Sequence, residues 1–343
     1  MSGHKDPLAI DFEVGFAPLA ERVINEEQER SDLVAREMPF NHGYLDDKLL
    51  SILPHDLLLL GAFTGAGKTE LARIIANGNA MHGRNVHYFA LEAEPKEIER
   101  RTKYSMIMML ARQHGVDTSG VTYASWYRNR HNDILGRFSH EAEREIVDKF
   151  KTLHTYYRGG KFTHEHIQKL FLAIQSQADL IILDHLHYVD IEDENENRGF
   201  KRTVQMIREV ALEVGRAVLL IAHLRKRDSR AKSIVPDLEM FHGSSDIIKI
   251  CTSAIMLAPA YSVPSTKPGR ANTFIHVPKN RGDGSDGLVA LCEFDRQFRN
   301  YGKGYTLGRQ VNGEFTPLDL VEVPSWAKRH KPLPVPIAPQ GVL

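Results

Sequence analysis

The chain has 343 residues, of which 42% are hydrophobic and 26% are charged, an ordinary composition for a soluble globular protein. That length suits one large domain or two small ones. The 44 basic and 44 acidic residues balance, which excludes a strongly basic nucleic-acid coat but allows a local basic patch. Cys251 and Cys292 lie in apolar runs and are expected to be buried thiols of a reducing compartment. No signal peptide or membrane-spanning stretch is predicted, so we expect a cytoplasmic protein.

Three segments are predicted along the chain: an N-terminal helical arm or linker at 1–40, a folded domain at 41–320 and a Pro-rich flexible tail at 321–343. In the arm, Pro18 to Arg36 has helical spacing. This helix either lies on the surface of its own domain or is exchanged and docks on a neighbouring subunit, and the sequence favours neither reading.

Strands alternate with helices through the folded domain. Short apolar runs predict strands at 57–60, 86–91, 180–183, 217–222 and 254–257. Helical spacing predicts helices at 68–79, over most of 95–150, after Thr163 and around 204–214. Two β-rich stretches, 273–277 and 288–294, predict an antiparallel hairpin joined by a turn at 281–287. The fold class is therefore α/β, a mostly parallel sheet with helices on both faces.

Residues 62–69 form a phosphate-binding loop between the first strand and a helix. Its opening position holds Ala62 where the usual pattern has glycine, and the alternative is a glycine-rich turn with an incidental lysine. Backbone N–H groups and the helix N-terminus are expected to bind phosphates, with Lys68 on the β- and γ-phosphates and Thr69 on Mg²⁺. The predicted nucleotide-binding residues are Ala62, Phe63, Thr64, Gly65, Ala66, Gly67, Lys68, Thr69 and Glu70.

Polar residues end three further predicted strands, where ligands of open α/β sheets bind. Asp184 is expected to act with Thr69 on Mg²⁺, and Glu92 to polarise the water that attacks the γ-phosphate. His223 is expected to sense that phosphate. The alternatives are a surface glutamate and a core or helix-capping histidine. His185 and His187 alone make no metal site, and His187 is interpreted as a sensor or a DNA-facing residue.

Lys279 and Arg281 lie on the same face of a strand end and suit a γ-phosphate. Because Lys68 already serves its own loop, a neighbouring subunit's nucleotide is the plausible target. An arginine finger supplied in trans stabilises transition-state charge. The alternative is a solvated basic turn.

Together these motifs resemble the RecA-like motor domain of DnaB-type replicative helicases, including phage and mitochondrial primase-helicases. The matching stretches, in the family's order over about residues 38–300, are Ala62–Thr69, Ala90-Leu91-Glu92, Leu183-Asp184-His185-Leu186-His187, His223-Leu224-Arg225-Lys226 and Lys279-Asn280-Arg281-Gly282-Asp283-Gly284. The trans role of Lys279 and Arg281 depends on this resemblance.

The resemblance implies ATP and Mg²⁺ as cofactors, a homo-hexameric ring around single-stranded DNA, and a possible loader, replisome or repair partner. Two loops, 190–201 and 225–245, are expected to face the channel. The predicted DNA-binding residues are Arg198, Lys201, Arg202, Arg225, Lys226, Arg227, Arg230 and Lys232. Glu239 stands where the family usually has arginine, and His242 precedes the following turn, so the chain departs from the family's pattern of DNA contact at that position.

Two main functions follow from the sequence. The first is an ATP-hydrolysing DNA translocase or helicase in the replication of a phage or mobile element. The second is a RecA-like oligomeric ATPase that serves as a repair, recombination or nucleotide-gated scaffold without unwinding. A small-molecule or RNA kinase is a third possibility, but it leaves Lys279 and Arg281 without a role.

Overall fold

The computed structural model describes residues 18–160, 162–174, 176–190, 196–224, 234–236, 238–241 and 245–327. The chain divides into two units, Met1–Glu37 and Met38–Leu343. The first contains helices α1 (Leu19–Val23) and α2 (Glu26–Val34), neither of which buries a residue. Leu19, Val23 and Ile24 are all exposed, so both readings of this arm stay open.

The second unit is built on one ten-stranded sheet with the order β10-β9-β8-β7-β6-β1-β5-β4-β2-β3. The strands are β1 (Leu57–Ala62), β2 (Val86–Ala90), β3 (Leu153–Tyr157), β4 (Leu180–Asp184), β5 (Ala217–His223), β6 (Ser253–Pro259), β7 (Arg270–Asn280), β8 (Val289–Asp295), β9 (Asn300–Val311) and β10 (Glu314–Pro317). Strands β6, β1, β5, β4, β2 and β3 pair in parallel, and β7 to β10 continue the sheet antiparallel. The predicted mixed α/β architecture is confirmed.

The helices of this unit are α3 (Gly43–Leu49), α4 (Lys68–Met81), α5 (Glu97–Gln113), α6 (Tyr123–Tyr127), α7 (Asn132–Leu135), α8 (Ser139–Lys149), α9 (His164–Ile174), α10 (Glu196–Val214) and α11 (Ser245–Ile250). None of the helices in the described ranges has the length and apolarity that crossing a bilayer requires.

Strand β1 shows why the sheet is buried on both faces. Successive side chains of a strand point to opposite faces, so Leu58 and Leu60 pack in a core with helices α3 and α4. Leu57 and Leu59 pack in a second core with helices α9 and α10. A strand covered on both sides needs an unbroken apolar run, which is what residues 57–60 provide.

The parallel strands give the sheet two functionally different sides. We call the side where they end, at Ala62, Ala90, Asp184 and His223, the carboxyl side, and the side where they begin the amino side. Since Ala62 pairs with His223 and Ala90 with Asp184, neighbouring strand ends lie next to one another. Four positions that are far apart in the sequence therefore lie together on the carboxyl side of the sheet.

The structure differs from the sequence predictions in three places. Strands β3, β9 and β10 were not predicted. Helix α10 begins at Glu196, so the second half of the predicted loop 190–201 is helical. Trp326 and Ala327 pack against the core, so the start of the predicted tail belongs to the folded unit, and residues 328–343 lie outside the described residues.

Candidate nucleotide-binding site

A pocket of about 630 Å³ opens on the carboxyl side of the sheet. Loop and helix residues 64–70 line it, together with Glu92, Asp184 and His223 from three other strand ends. A second wall comes from the antiparallel half through residues that include Thr273, Phe294, Arg296, Arg299 and Tyr301. The polar strand ends singled out in the sequence therefore lie together in one pocket, whereas the second wall was not predicted.

The loop before helix α4 has the backbone of a phosphate cradle. Gly65 and Gly67 have φ angles of 81° and 95°, a region that glycine enters without steric cost. Helix α4 begins at Lys68 with Gly67 at its N-cap, so the N–H groups of its first turn lack intrahelical acceptors and can bind an anion. A Cβ at Gly65 would meet none of the described residues within 4 Å, so they leave that side of the loop open to a ligand. The loop fits a nucleoside triphosphate.

Lys68 is buried at the centre of the site. Its ammonium donates to the carbonyl oxygens of Ala62 and Phe63 at 3.0 and 3.2 Å, and lies 3.2 Å from Nδ1 of His223. Burial lowers the pKa of Lys68, although Asp184 and Glu92 oppose that shift. Ala62 and Phe63 thus hold the lysine rather than line the pocket, and a phosphate oxygen can replace these neutral carbonyls.

Asp184 and Thr69 provide the oxygens that Mg²⁺ prefers. The carboxyl of Asp184 is buried and accepts a 2.7 Å hydrogen bond from the Tyr88 hydroxyl. Burial raises the pKa of Asp184, and hydrogen bonds from Tyr88 and Thr69 counteract that rise. Because one carboxylate and one hydroxyl oxygen meet beside the loop, these two residues fit the ion.

Glu92 lies beside two histidines. Its Oε2 is 3.0 Å from Nε2 of His185 and 3.8 Å from Nε2 of His223. The rings of these histidines are nearly perpendicular, with centroids 4.1 Å apart. Burial, with added repulsion from His223, His187 and Lys68, lowers the pKa of His185 to about 2, so the ring is neutral.

Glu70 makes buried ion pairs that the sequence did not predict. Its buried carboxylate binds Arg73 at 3.2 Å, Arg101 at 2.6 Å and also Arg299. Burial alone would raise its pKa, but the arginines more than offset this and lower it to about 2. Glu70 therefore ties the start of helix α4 to helix α5 and to the turn after β8. Glu70 thus supports the loop from behind while it also lines the pocket, and its contact with a nucleotide stays a prediction.

Lys279 and Arg281 lie on the amino side, away from this pocket. The N–H of Arg281 donates to the carbonyl of Thr252, next to the start of β1. The length of strand β1, Leu57–Ala62, separates that point from the loop, which is roughly 16 Å for five steps of 3.3 Å. Lys279 donates to the carbonyls of Ile248 and Lys249 at the end of helix α11. Neither side chain can reach the phosphates of its own subunit.

The predicted DNA-binding residues fall into two groups. Arg198, Lys201 and Arg202 lie on the first turns of helix α10, where Arg198 and Arg202 are exposed. Arg225, Lys226, Arg227, Arg230 and Lys232 lie outside the described residues. Position 239 lies in a short 3₁₀ turn, Leu238–Met240, and position 242 is outside the described residues.

A family model described as an AAA domain matches residues 25–229, which is more than half of the chain. The chain belongs to this AAA-domain family. The match contains the phosphate-binding loop, Glu92, Asp184 and His223 and ends shortly after strand β5. It therefore covers the parallel strands that build the loop side of the pocket, apart from β6.

Two solved structures share the fold of this AAA-domain protein. One is titled as an ATPase domain; the match has 15% identity and a TM-score of 0.65 and covers 83% of this chain and 98% of that one. The other is titled "The Structure Of A DnaB-Like Replicative Helicase And Its Interactions With Primase", with 15% identity, a TM-score of 0.61, and 83% and 67% coverage. The fold implied by the sequence resemblance is confirmed. A comparison with curated proteins gave no match.

Proposed function

We propose that this protein is an ATP-hydrolysing, ring-forming translocase or helicase that acts on single-stranded DNA in the replication of a phage or mobile element. The observation that carries the proposal is the grouping of Lys68, Glu92, Asp184 and His223 around one glycine-cradled pocket. The fold shared with structures titled as an ATPase domain and a DnaB-like replicative helicase supports the same reading.

The residues divide the work of hydrolysis. The loop N–H groups and Lys68 bind the β- and γ-phosphates, and Glu92 accepts a proton from the attacking water. Thr69 and Asp184 would hold Mg²⁺, which when bound neutralises charge on the phosphates. Catalysis of this kind depends on positioning and electrostatics rather than on covalent chemistry.

Lys68 also links nucleotide binding to His223. Its ammonium now lies 3.2 Å from Nδ1 of that histidine. When phosphates attract the lysine, Nδ1 of His223 loses this donor, and the ring can turn its Nε2–H towards the γ-phosphate. His223 thereby reports whether the γ-phosphate is present.

A chain of contacts runs from His223 towards the predicted DNA-binding helix. The backbone N–H of His223 donates to Nδ1 of His187 at 3.4 Å, and the two rings lie with centroids 5.9 Å apart. The ring of His187 packs against Phe200 with centroids 5.0 Å apart, and Phe200 lies on helix α10 with Arg198 and Lys201. We infer that a change of partner by the His223 ring is passed through these contacts to helix α10, where Arg198, Lys201 and Arg202 would bind DNA phosphates.

The second half of the catalytic site is proposed to come from another subunit. Arg281 is exposed on the amino side and cannot reach its own pocket. In a ring, subunits meet head to tail, so the amino side of one copy can face the carboxyl side of the next. Arg281 then acts on the neighbour's γ-phosphate, while Lys279 anchors the strand that carries it.

The decisive experiment compares ATP hydrolysis by the wild type and Glu92→Gln, with and without a single-stranded oligonucleotide, alongside particle mass. We expect a hexamer with ATP, DNA-stimulated hydrolysis in the wild type, and a loss of about 10²- to 10⁴-fold in kcat in the variant. The variant should still bind ATP. Full hydrolysis by Glu92→Gln, or a monomer under every condition, would contradict the proposal.

A nucleotide-gated scaffold for repair or recombination is the second candidate. The balanced overall charge and Glu239 in place of a loop arginine favour it. It predicts nucleotide-dependent oligomers whose ATPase rate is the same with and without DNA, so the experiment above separates the two functions.

A further inference from the structure

Glu92, His185 and His223 form a compact cluster whose purpose is not settled by their residue types. Their ligand atoms all lie within 4.8 Å of one another, so two histidines and a carboxylate could in principle hold a transition metal. The alternative is that the rings serve Glu92 as hydrogen-bond donors. Which ring nitrogen carries the proton decides between the two.

The contacts behind the rings fix the position of the proton. Nδ1 of His185 accepts the backbone N–H of His187 at 3.3 Å. Nδ1 of His223 faces the ammonium of Lys68 at 3.2 Å. A neutral imidazole has one donor and one acceptor nitrogen. Because a donor group of the protein faces each Nδ1, that nitrogen is the acceptor and the proton is on Nε2. A metal-binding histidine has the opposite arrangement, because its distal N–H donates to an acceptor.

Both Nε2–H groups therefore face the carboxylate of Glu92. His185 is the stronger partner, since its Nε2 lies 3.0 Å from Oε2 and the corresponding distance for His223 is 3.8 Å. The Nε2 atom of His185 is buried and has no aligned hydrogen bond within the described part of the chain. Glu92 is 45% exposed, so a small rotation of its flexible side chain aligns this bond.

We propose that His185 is a positioning residue, whose Nε2–H holds one carboxylate oxygen of Glu92 and leaves the other aimed at the attacking water. The proposal rests on the proposed role of Glu92 as the base. Hydrogen bonds of this kind are often poorly aligned without substrate and tighten in the reactive complex. His223 is tied to Lys68 and exchanges partners when nucleotide binds, whereas His185 is a fixed support.

The test replaces His185 in the full chain by leucine, asparagine and glutamine. Glutamine can place an N–H near the former Nε2 position, asparagine places its amide nearer Nδ1, and leucine has no donor. We expect Leu and Asn to lower kcat about 10- to 100-fold, with KM and ATP affinity changed less than about threefold. His185→Gln should recover most of the wild-type kcat, which a merely structural role would not produce.

Asparagine keeps the proposal testable if the leucine variant fails to fold. Equal kcat in Leu, Asn and Gln, or a loss confined to KM, would overturn it. Tight Zn²⁺ binding that disappears in His185→Gln would also overturn it, because the rings would then be ligands.

A double-variant cycle separates this inference from the proposed function. If Glu92→Gln abolishes hydrolysis but His185→Leu matches the wild type, only the positioning role fails. If Glu92→Gln retains hydrolysis, the proposed function fails as well. In the Glu92→Gln background we expect His185→Leu to cause no further loss of kcat, and a further tenfold loss would show that His185 acts independently of Glu92.

Discussion

On the carboxyl side of the parallel strands, Lys68 is buried and its ammonium contacts two loop carbonyls and His223. On the amino side, Arg281 is exposed and only its backbone N–H has a described hydrogen bond, to Thr252. Both residues are cations suited to phosphate. Lys68 lines the pocket described above, and Arg281 is not among the residues that line it. This contrast supports the proposal that the two sides form one site when two copies meet.

The largest expected effect on kcat follows from removing the exposed Arg281 side chain. Arg281→Ala should lower kcat of the assembled protein about 10³-fold, the low end for a lost arginine finger. Nucleotide affinity of the isolated subunit should be unchanged, because Arg281 lies on the far side of the sheet. The measurement is steady-state ATP hydrolysis with DNA, together with an ATP-binding titration.

Arg281→Lys is the matched control for charge. It keeps the cation but loses the planar fork, so we expect only partial recovery of kcat. Normal hydrolysis by Arg281→Ala in an assembled ring would show that the amino side takes no part in catalysis.

His42, which is buried behind the pocket residue Tyr301, is expected to make the stability of the fold depend on pH. The ring of His42 packs edge-on against Tyr301 at 4.8 Å, and neither ring nitrogen has a hydrogen-bond partner among the described residues. Burial lowers the pKa of His42 to about 4, only partly opposed by a backbone hydrogen bond. The unfolded chain therefore binds this proton first, and stability present above pH 6.5 is lost as the pH falls towards 4.

At pH 4 the free energy of unfolding should be lower by about 3 kcal/mol, since each unit of pKa shift is worth about 1.36 kcal/mol. Urea unfolding at about pH 7 and about pH 4.5 measures it, with His42→Phe as the control that keeps an aromatic ring against Tyr301 but cannot take up a proton. If both proteins lose the same stability between these pH values, proton uptake by His42 is not the cause of the loss.

The smallest effect separates Lys279 from Arg281. Lys279 donates to two carbonyls at the end of helix α11, so Lys279→Met should lower the free energy of unfolding by about 2 kcal/mol. The kcat of the assembled protein should stay near the wild-type value. Thermal unfolding and ATP hydrolysis on the same sample test this, and a catalytic loss with unchanged stability would place Lys279 in the intersubunit site.

Local patterns explain why part of the site could be predicted from sequence. A loop with Gly65, Gly67 and Lys68 follows an apolar strand, and Glu92 and Asp184 each follow another. Because parallel strands end on one side of a sheet, these residues had to meet. These local patterns were also enough to predict the shared fold, although the identity to either solved structure is 15%.

The remaining features depend on contacts between distant positions. Glu70 binds Arg101 and Arg299, which lie 31 and 229 residues further along the chain, and no local spacing predicts such partners. The edge strand β3 is never fully buried and carries no apolar run, which is why it was not predicted. The pairing of His185 with Glu92 depends on the register of β4 against β2, where Asp184 lies opposite Ala90.

We propose that Glu92 of one copy and Arg281 of another form a single site, and mixing two inactive variants tests whether they do. Neither Glu92→Gln nor Arg281→Ala can hydrolyse ATP efficiently alone. In a ring assembled from equal amounts of both, about a quarter of the sites combine an intact Glu92 with a neighbour's intact Arg281. We predict that mixing restores DNA-stimulated hydrolysis to about that fraction of the wild-type rate, and a mixture no more active than its two components would show that Glu92 and Arg281 do not share a site.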